Sequence, residues 1–476
     1  MNTLDTGSFR STAHRAVDWM ADYLETIETL PVRPALTPGS ILDQLPDDPP
    51  ETGESMDSIL QDFQSVILPG ITHWQHPSFF AFFPANSSYP SVIAEMLTAT
   101  MGAQCMIWET SPAAAELEEK MMSWLKRMTG IPEEFAGVIQ DTASSSTLCA
   151  ILSARERFTD FAINEHGPGA FRPFRVYCSA ETHSSIEKDV RIAGIGRENL
   201  VRIAMDNSYR LNPQALARAI DDDTAAGLTP LCVVATLGTT GSTAIDPLDE
   251  IAEITHRRSI WLHVDAAFAG SALVLPEYRW MIRGIEHVDS FVFNPHKWMF
   301  TNFDCSAYFV RDPATLIRTF EIVPEYLKKR TASPVKNYRD WGIPLGRRFR
   351  ALKLWFVIRN FGVEEIRARF RHHIALAKEL EEEINSSPDF ELITPRTLNL
   401  VCFRYRPAGI DDEQEINRIN ELLERSLNES GRLYLSHTKL GNRYTLRIVI
   451  GQTNVQRRHV VEAWKFLREE ARSLKL

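Results

Sequence analysis

Between about residues 92 and 320 the chain alternates short apolar, β-branched runs with helical stretches. The runs lie at 174–178, 200–203, 231–236, 260–264, 290–293 and 306–310. They are mostly apolar along their length, as strands covered on both faces must be. Strands separated by helices are joined by crossovers, and crossovers build parallel sheets. The middle of the chain is therefore expected to be an α/β domain with a mostly parallel central sheet. Ligands of such sheets bind where the strand carboxyl ends converge. The residues just after each run thus become the first place to look for chemistry.

The flanks read differently. Amphipathic helices are predicted over about 8–28 and 55–68, with an irregular Pro-rich stretch over 31–50 between them. Two helices so connected cannot bury their apolar faces alone, so this arm should pack on something else, such as a second subunit. Beyond a long helical stretch at about 345–384, strands near 398–405, 433–436 and 444–450 accompany helices near 412–427 and 457–474. The expected organisation is an N-terminal helical arm with a pocket-lining segment (1–91), a large α/β domain with a mobile polar loop near 325–341 (92–343), and a small C-terminal α+β domain (344–476).

Net charge is −10 at pH 7. That argues against nucleic acid or an anionic membrane surface as a partner, since both require a basic face. No segment reaches the roughly 20 apolar residues that span a bilayer. The opening MNTLDTGSFRSTAHRAVDWM lacks the apolar core of a signal peptide, so a cytoplasmic protein is expected. The six cysteines form no CxxC pair. Free thiols are expected rather than disulfides, and no metal site is expected.

Five segments carry candidate chemistry. In DSFVFNPHKWMF (289–300) a buried run leads through Asn294, Pro295 and His296 to Lys297. Most lysines are solvated, but one just past a buried strand can be desolvated, which lowers its pKa and makes it nucleophilic toward an aldehyde. In SIWLHVDAAFAG (259–270) Asp265 ends a run. A buried carboxylate needs a partner; a strand-end cap is one reading, and the pyridinium nitrogen of pyridoxal 5′-phosphate (PLP) is another. Ala266 and Ala267 would let a flat ring lie close. In GVIQDTASSSTLCAILSARERF (137–158) small hydroxyl residues open a helix whose first N–H groups, at Ala143 and Ser144, could bind phosphate. An ordinary Thr142 cap looks the same. His183 in SAETHSSIEKDVRIAG (179–194) and Thr240 in ATLGTTGSTAIDP (235–247) follow two further runs. Alone, a histidine at 183 is more often structural, and Thr240 reads equally well as turn chemistry. All five together fall on successive strand ends of one domain.

The chain resembles the PLP-dependent group II amino-acid decarboxylases of the aromatic-L-amino-acid type, within fold type I. The resemblance covers nearly the whole chain. It rests on HWQHPSFFAFFPANSSYPS (73–91), TSPAAAELE (110–118), THSSIEK (182–188), TLGTTGS (236–242), HVDAAFAG (263–270), NPHKWMFTNFDCSA (294–307) and YRDWGIPLGRRFRALKLWFVIR (338–359). It implies Lys297 as the Schiff-base lysine, Asp265 for the pyridine nitrogen and His183 stacked on the ring. It implies Ala143, Ser144, Asn294 and His296 near the phosphate, and Ala267 and Thr240 around the ring. It also implies a homodimer with active sites at the subunit interface.

The implied reaction is decarboxylation of an aromatic L-amino acid to its amine and CO2. The proton that finishes it needs a donor, and Tyr338, after the polar stretch 328–337, is the candidate; an anchoring role for that ring is the alternative. A tyrosine there is expected to favour amine over the aldehyde of oxidative deamination. The expected substrate wall includes Trp74, Phe82, Phe83 and Pro84, with Gln104 nearby. So dense an aromatic cluster is equally the signature of core. Within 73–91 there is no cationic clamp for a second carboxylate, which disfavours a glutamate-type enzyme. Phe82 and Ala85 stand where many animal members have Tyr and Thr, and Gln104 lies in a stretch more apolar in those enzymes. Which aromatic amino acid is preferred stays open. A cofactor-binding protein with a decayed site is disfavoured by the joint presence of Lys297, Asp265, His183 and Tyr338.

Overall fold

The computed structural model describes residues 5–169, 171–322 and 335–474. Two compact units emerge, each assembled from separate stretches: Ala85–Glu382 with Leu392–Cys402, and Met1–Pro84 with Glu383–Glu391 and Phe403–Leu476. The helices are α1 (Thr6–Thr26), α2 (Met56–Asp62), α3 (Tyr89–Met101), α4 (Pro112–Thr129), α5 (Ala143–Phe158), α6 (Ala162–His166) and α7 (Ser185–Ile192). They continue with α8 (Pro213–Ala225), α9 (Leu248–Arg257), α10 (Pro295–Trp298), α11 (Pro313–Phe320), α12 (Arg350–Asn385), α13 (Glu413–Glu429) and α14 (Arg457–Ser473).

The larger unit is built on seven strands: β1 (Ala136–Gln140), β2 (Phe174–Ser179), β3 (Leu200–Ile203), β4 (Thr229–Thr236), β5 (Trp261–Asp265), β6 (Ser290–Phe293) and β7 (Ser306–Val310). Their spatial order is β1-β7-β6-β5-β4-β2-β3. The pairs from β3 across to β6 are parallel. Only β7 opposes its neighbours, β1 and β6. Every residue of β5, β6 and β7 is buried. Each such large apolar side chain contributes about 1.5–3 kcal/mol on leaving water, so the middle of the sheet is the stiffest frame available for a site. The expected mostly parallel α/β fold is observed, and the runs at 200–203, 290–293 and 306–310 coincide with strands. Strand β1 was not anticipated. Its AGVIQ is short and contains Gly137, yet a Cβ there would stand 2.5 Å from Met122 Cε. The glycine marks close packing against α4 rather than a loop.

In the smaller unit Asp5 caps α1 by accepting the Gly7 and Ser8 N–H groups (3.0 and 3.2 Å). None of α1's residues is buried. Trp19 meets Phe63 edge-on at 5.1 Å, and Arg15 pairs with Asp57 of α2. A second sheet has the order β10-β11-β9-β8, from β8 (Phe390–Leu392), β9 (Leu400–Tyr405), β10 (Ser436–Leu440) and β11 (Arg443–Val449). The aromatic segment after α2 is stitched to the C-terminal part of this unit. Phe80 donates to Tyr434 O (2.7 Å) and accepts from Val449 N–H (3.0 Å).

Candidate active site

Asp265 is the last residue of β5, and Lys297, His183, Thr240, Asn294, His296, Ala143 and Ser144 follow the carboxyl ends of strands in the larger unit's sheet, as the sequence predicts. Two backbone bonds join the segment after β5 to β6 and to the residue that follows it: Ala266 N–H to Val292 O and Asn294 N–H to Ala267 O, each 2.9 Å. The loop after Asp265 comes so close to β6 that a Cβ at Gly270 would lie 2.4 Å from Phe293 Cβ. That explains why HVDAAFAG ends in glycine. Asp265 is buried and accepts the Ala267 N–H at 3.0 Å through Oδ1. Lys297 follows in the single turn α10, where Asn86 N–H reaches its carbonyl at 3.4 Å.

Burial pushes the Lys297 ammonium below the usual lysine range, while Asp265 pulls it back up. The same two residues act on His183. Burial and Lys297 lower it, and Asp265 raises it, with the lowering dominant. Its Nδ1 accepts the Ser185 N–H (3.2 Å) and lies 2.8 Å from Ser185 Oγ. His296 is buried and held at about 3, chiefly by desolvation. Its Nδ1 accepts the Cys305 N–H at 2.8 Å. A neutral imidazole accepting at Nδ1 carries its proton on Nε2, so His296 has one N–H to offer a ligand. Asn294 is fixed by Ser306 Oγ–H, which donates to its Oδ1 at 2.7 Å.

Helix α5 starts at the end of β1. Thr142 is its cap, with Oγ1 accepting the Ser145 N–H (3.3 Å). The N–H groups of Ala143 and Ser144 precede the first intrahelical bond and, with the helix dipole, suit an anion. A desolvated lysine, a buried carboxylate beside it, small residues at 143 and 267, and a helix start: this donor set fits PLP. Lys297 would bond the aldehyde carbon, Asp265 would face the ring nitrogen, and Ala143, Ser144 and His296 would hold phosphate.

Thr240 is the exposed tip of the turn after β4, where Gly238 adopts φ +85°; the buried hydroxyls there are those of Thr239, Ser242 and Thr243, and Thr239 accepts the Ala244 N–H at 3.1 Å. Gln104 spends its Oε1 on the Arg347 N–H at 2.7 Å. Tyr338 is buried in a cluster with Val138, Ala143 and Trp341, beneath the Arg347 guanidinium (5.0 Å). Its hydroxyl has no hydrogen-bond partner among the described residues, and burial holds its pKa far above the ordinary phenol value. Of the loop expected at 325–341, residues 325–334 lie outside the described residues. Trp74, Phe82, Phe83 and Pro84 belong to the smaller unit. There Trp74 and Phe82 are 38% and 46% exposed and stack at 5.9 Å, while Phe83 is buried beneath Arg447 (5.6 Å).

Sequence reasoning missed the groups behind the site. Thr147 of α5, His263 of β5 and Ser290 of β6 form one buried chain, with contacts of 3.0 and 2.9 Å at the two nitrogens of His263. It fixes the candidate phosphate helix to the Asp265 strand. Asp189 is another miss: buried on α7, it is pushed up to about 7 by desolvation and by Asp265. Polar letters in apolar runs were the available signal. Among the described residues no cluster of three or more His, Cys, Asp or Glu could hold a metal.

Fold and donor set together suit an α/β enzyme that uses an aldehyde cofactor. Residues 38–406 match the pyridoxal-dependent decarboxylase conserved domain, and the chain belongs to that family of PLP-dependent carboxy-lyases. It is 44% identical to phenylacetaldehyde synthase of Arabidopsis thaliana, covering 99% of this chain and 97% of that one. It is 42% identical to tryptophan decarboxylase 2 of Oryza sativa subsp. japonica, covering 99% and 96%. The structure of Oryza sativa TDC with PLP and tryptamine superposes with a TM-score of 0.95 at 36% identity, covering 99% of each chain.

Proposed function

We propose that the substrate is an aromatic L-amino acid and the product its amine, released with CO2. The observation that carries the chemistry is Lys297, its pKa depressed by burial and its charge within reach of Asp265. The substrate class is supported by full-length similarity to proteins named for aromatic products and substrates. When bound, PLP supplies an electron sink for breaking the bond between Cα and the carboxylate. The chain's own groups do the rest. Asp265 keeps a proton at the pyridine nitrogen. His183, held mostly neutral, presents its ring to the cofactor and orients the carboxylate. His296 Nε2–H and the α5 N–H groups grip the phosphate.

Aldehyde is the competing product, because a phenylacetaldehyde synthase is as similar as the decarboxylases. Tyr338 remains a candidate proton donor. Its phenol stays protonated throughout the working range. Its packed setting favours the anchoring role equally. The one other tyrosine between 321 and 341 is Tyr326. A cytoplasmic location is consistent with six free cysteines and with no helix, among the described residues, long and apolar enough to cross a membrane.

The test is product analysis. Holoenzyme is given tryptophan, phenylalanine, tyrosine, DOPA, 5-hydroxytryptophan and glutamate, and amine, aldehyde and peroxide are quantified. Amine from an aromatic substrate and none from glutamate is expected. Aldehyde with peroxide would overturn the amine assignment. Tyr338→Phe and Tyr326→Phe, run side by side, assign the donor to whichever variant shifts product from amine to aldehyde.

A further inference from the structure

Turn α10 carries Lys297, and four residues cannot fix their own orientation in space. Something must hold the turn from behind. The side chain next to Lys297 is Trp298, which is fully buried. Its ring lies between Phe268, at 5.1 Å and 14°, and Phe370, at 4.7 Å and 29°. Phe268 directly follows the Asp265–Ala267 loop, and Phe370 belongs to α12. Trp298 therefore links the lysine turn to the carboxylate loop and to α12 at once.

Stacking fixes the plane of an indole but leaves sliding and flipping within that plane. Those are fixed by a hydrogen bond: Trp298 Nε1–H donates to His373 Nδ1 at 2.9 Å. His373 lies on α12 and is 2% exposed. An indole N–H can only donate, so His373 must be neutral with its proton on Nε2. Desolvation, which holds this imidazole at about 3, ensures that state at any working pH. An apolar residue would fill the same space, so packing alone gives no reason for an imidazole here.

We propose that His373 is a positioning residue for the cofactor lysine. Its Nδ1 sets the rotation of Trp298, and Trp298 holds Lys297 in register with the Asp265–Ala267 loop. This rests on the reading of Lys297 as the cofactor lysine.

The experiment compares wild type with His373→Leu, His373→Asn, Trp298→Phe and the double variant Trp298→Phe/His373→Leu. Readouts are PLP affinity by titration of apoenzyme, the pH midpoint of the bound cofactor's absorbance, and Tm. Asn places a carbonyl acceptor where Nδ1 was. Leaving a buried N–H unpaired in His373→Leu should weaken PLP binding about ten-fold and move the absorbance midpoint. His373→Asn should stay within about two-fold of wild type. Trp298→Phe should weaken binding like His373→Leu, and the double variant should be no worse than either, because both remove one interaction. Additive losses in the cycle, or a fall in Tm with affinity and midpoint unmoved, would overturn the proposal. Should His373→Leu fail to fold, the contrast between Trp298→Phe and His373→Asn carries the same decision. Borohydride reduction of the holoenzyme followed by peptide mapping separates the two readings. Label on a residue other than Lys297 sinks the cofactor-lysine reading itself. Label on Lys297, with unchanged affinity in the variants, sinks only the role of His373.

Discussion

At the scale of single residues, the site depends on keeping imidazoles neutral in a low-dielectric interior. His263 is held at about 4, and His296 and His373 at about 3, each chiefly by desolvation. Unfolded, they would titrate near their ordinary value of 6.5. Between about pH 6.5 and 4 the unfolded chain therefore binds protons at these three sites that the folded chain refuses, so their contribution to stability falls as pH falls. Two buried carboxyls oppose this. Asp189 at about 7 and Asp246 at about 6 hold protons in the fold that the unfolded chain releases. The imidazoles outweigh the carboxyls, because His76 at about 4 and His183 are held low as well. Each uncompensated proton is worth about 1.4 kcal/mol per pH unit. The apoenzyme should lose stability gradually from pH 6.5 to 4.5, read as a falling urea midpoint. A midpoint that rises over that interval would mean the buried carboxyls dominate.

At the scale of elements, the sheet was legible because its strands are buried on both faces and so are written as unbroken apolar runs. Where burial is achieved by small residues the text goes quiet, as in β1 and its Gly137. The candidate site was legible to the same depth. Lys297, Asp265 and His183 stand at the ends of runs, and a strand end is visible in sequence. His373 and Thr147 sit mid-helix and matter only through side chains far away in the chain, which no local pattern encodes. Helix α5 allows a test at this scale. Its cap is one hydroxyl, Thr142 Oγ1. Thr142→Ala should cost about 1 kcal/mol of stability. By loosening the first turn it should also weaken retention of PLP more than of pyridoxal lacking the phosphate. Differential dialysis of the two vitamers reads this. Equal loss of both would remove α5 from the phosphate site.

At the scale of the whole molecule, two helices among the described residues keep large apolar side chains exposed. Helix α1 buries none of its residues and exposes Phe9 and Val17. Helix α3 presents Tyr89, Ile93, Leu97 and Met101, spaced by four and exposed by 45–61%. Four such residues on one face make a stripe that a soluble monomer has no reason to keep. The homodimer that the family resemblance implies would cover it with a second copy of the chain. Charge supports a copy over a basic or acidic partner, since the stripe itself carries no charged residue. A single glutamate at its centre, Leu97→Glu, would bury an unpaired carboxylate in such an interface, which costs several kcal/mol and so at least a hundred-fold in affinity. Light scattering at micromolar concentration should give about twice the chain mass for wild type and one chain mass for Leu97→Glu. If the variant stays dimeric, another surface forms the contact; if wild type is already monomeric, the homodimer fails outright.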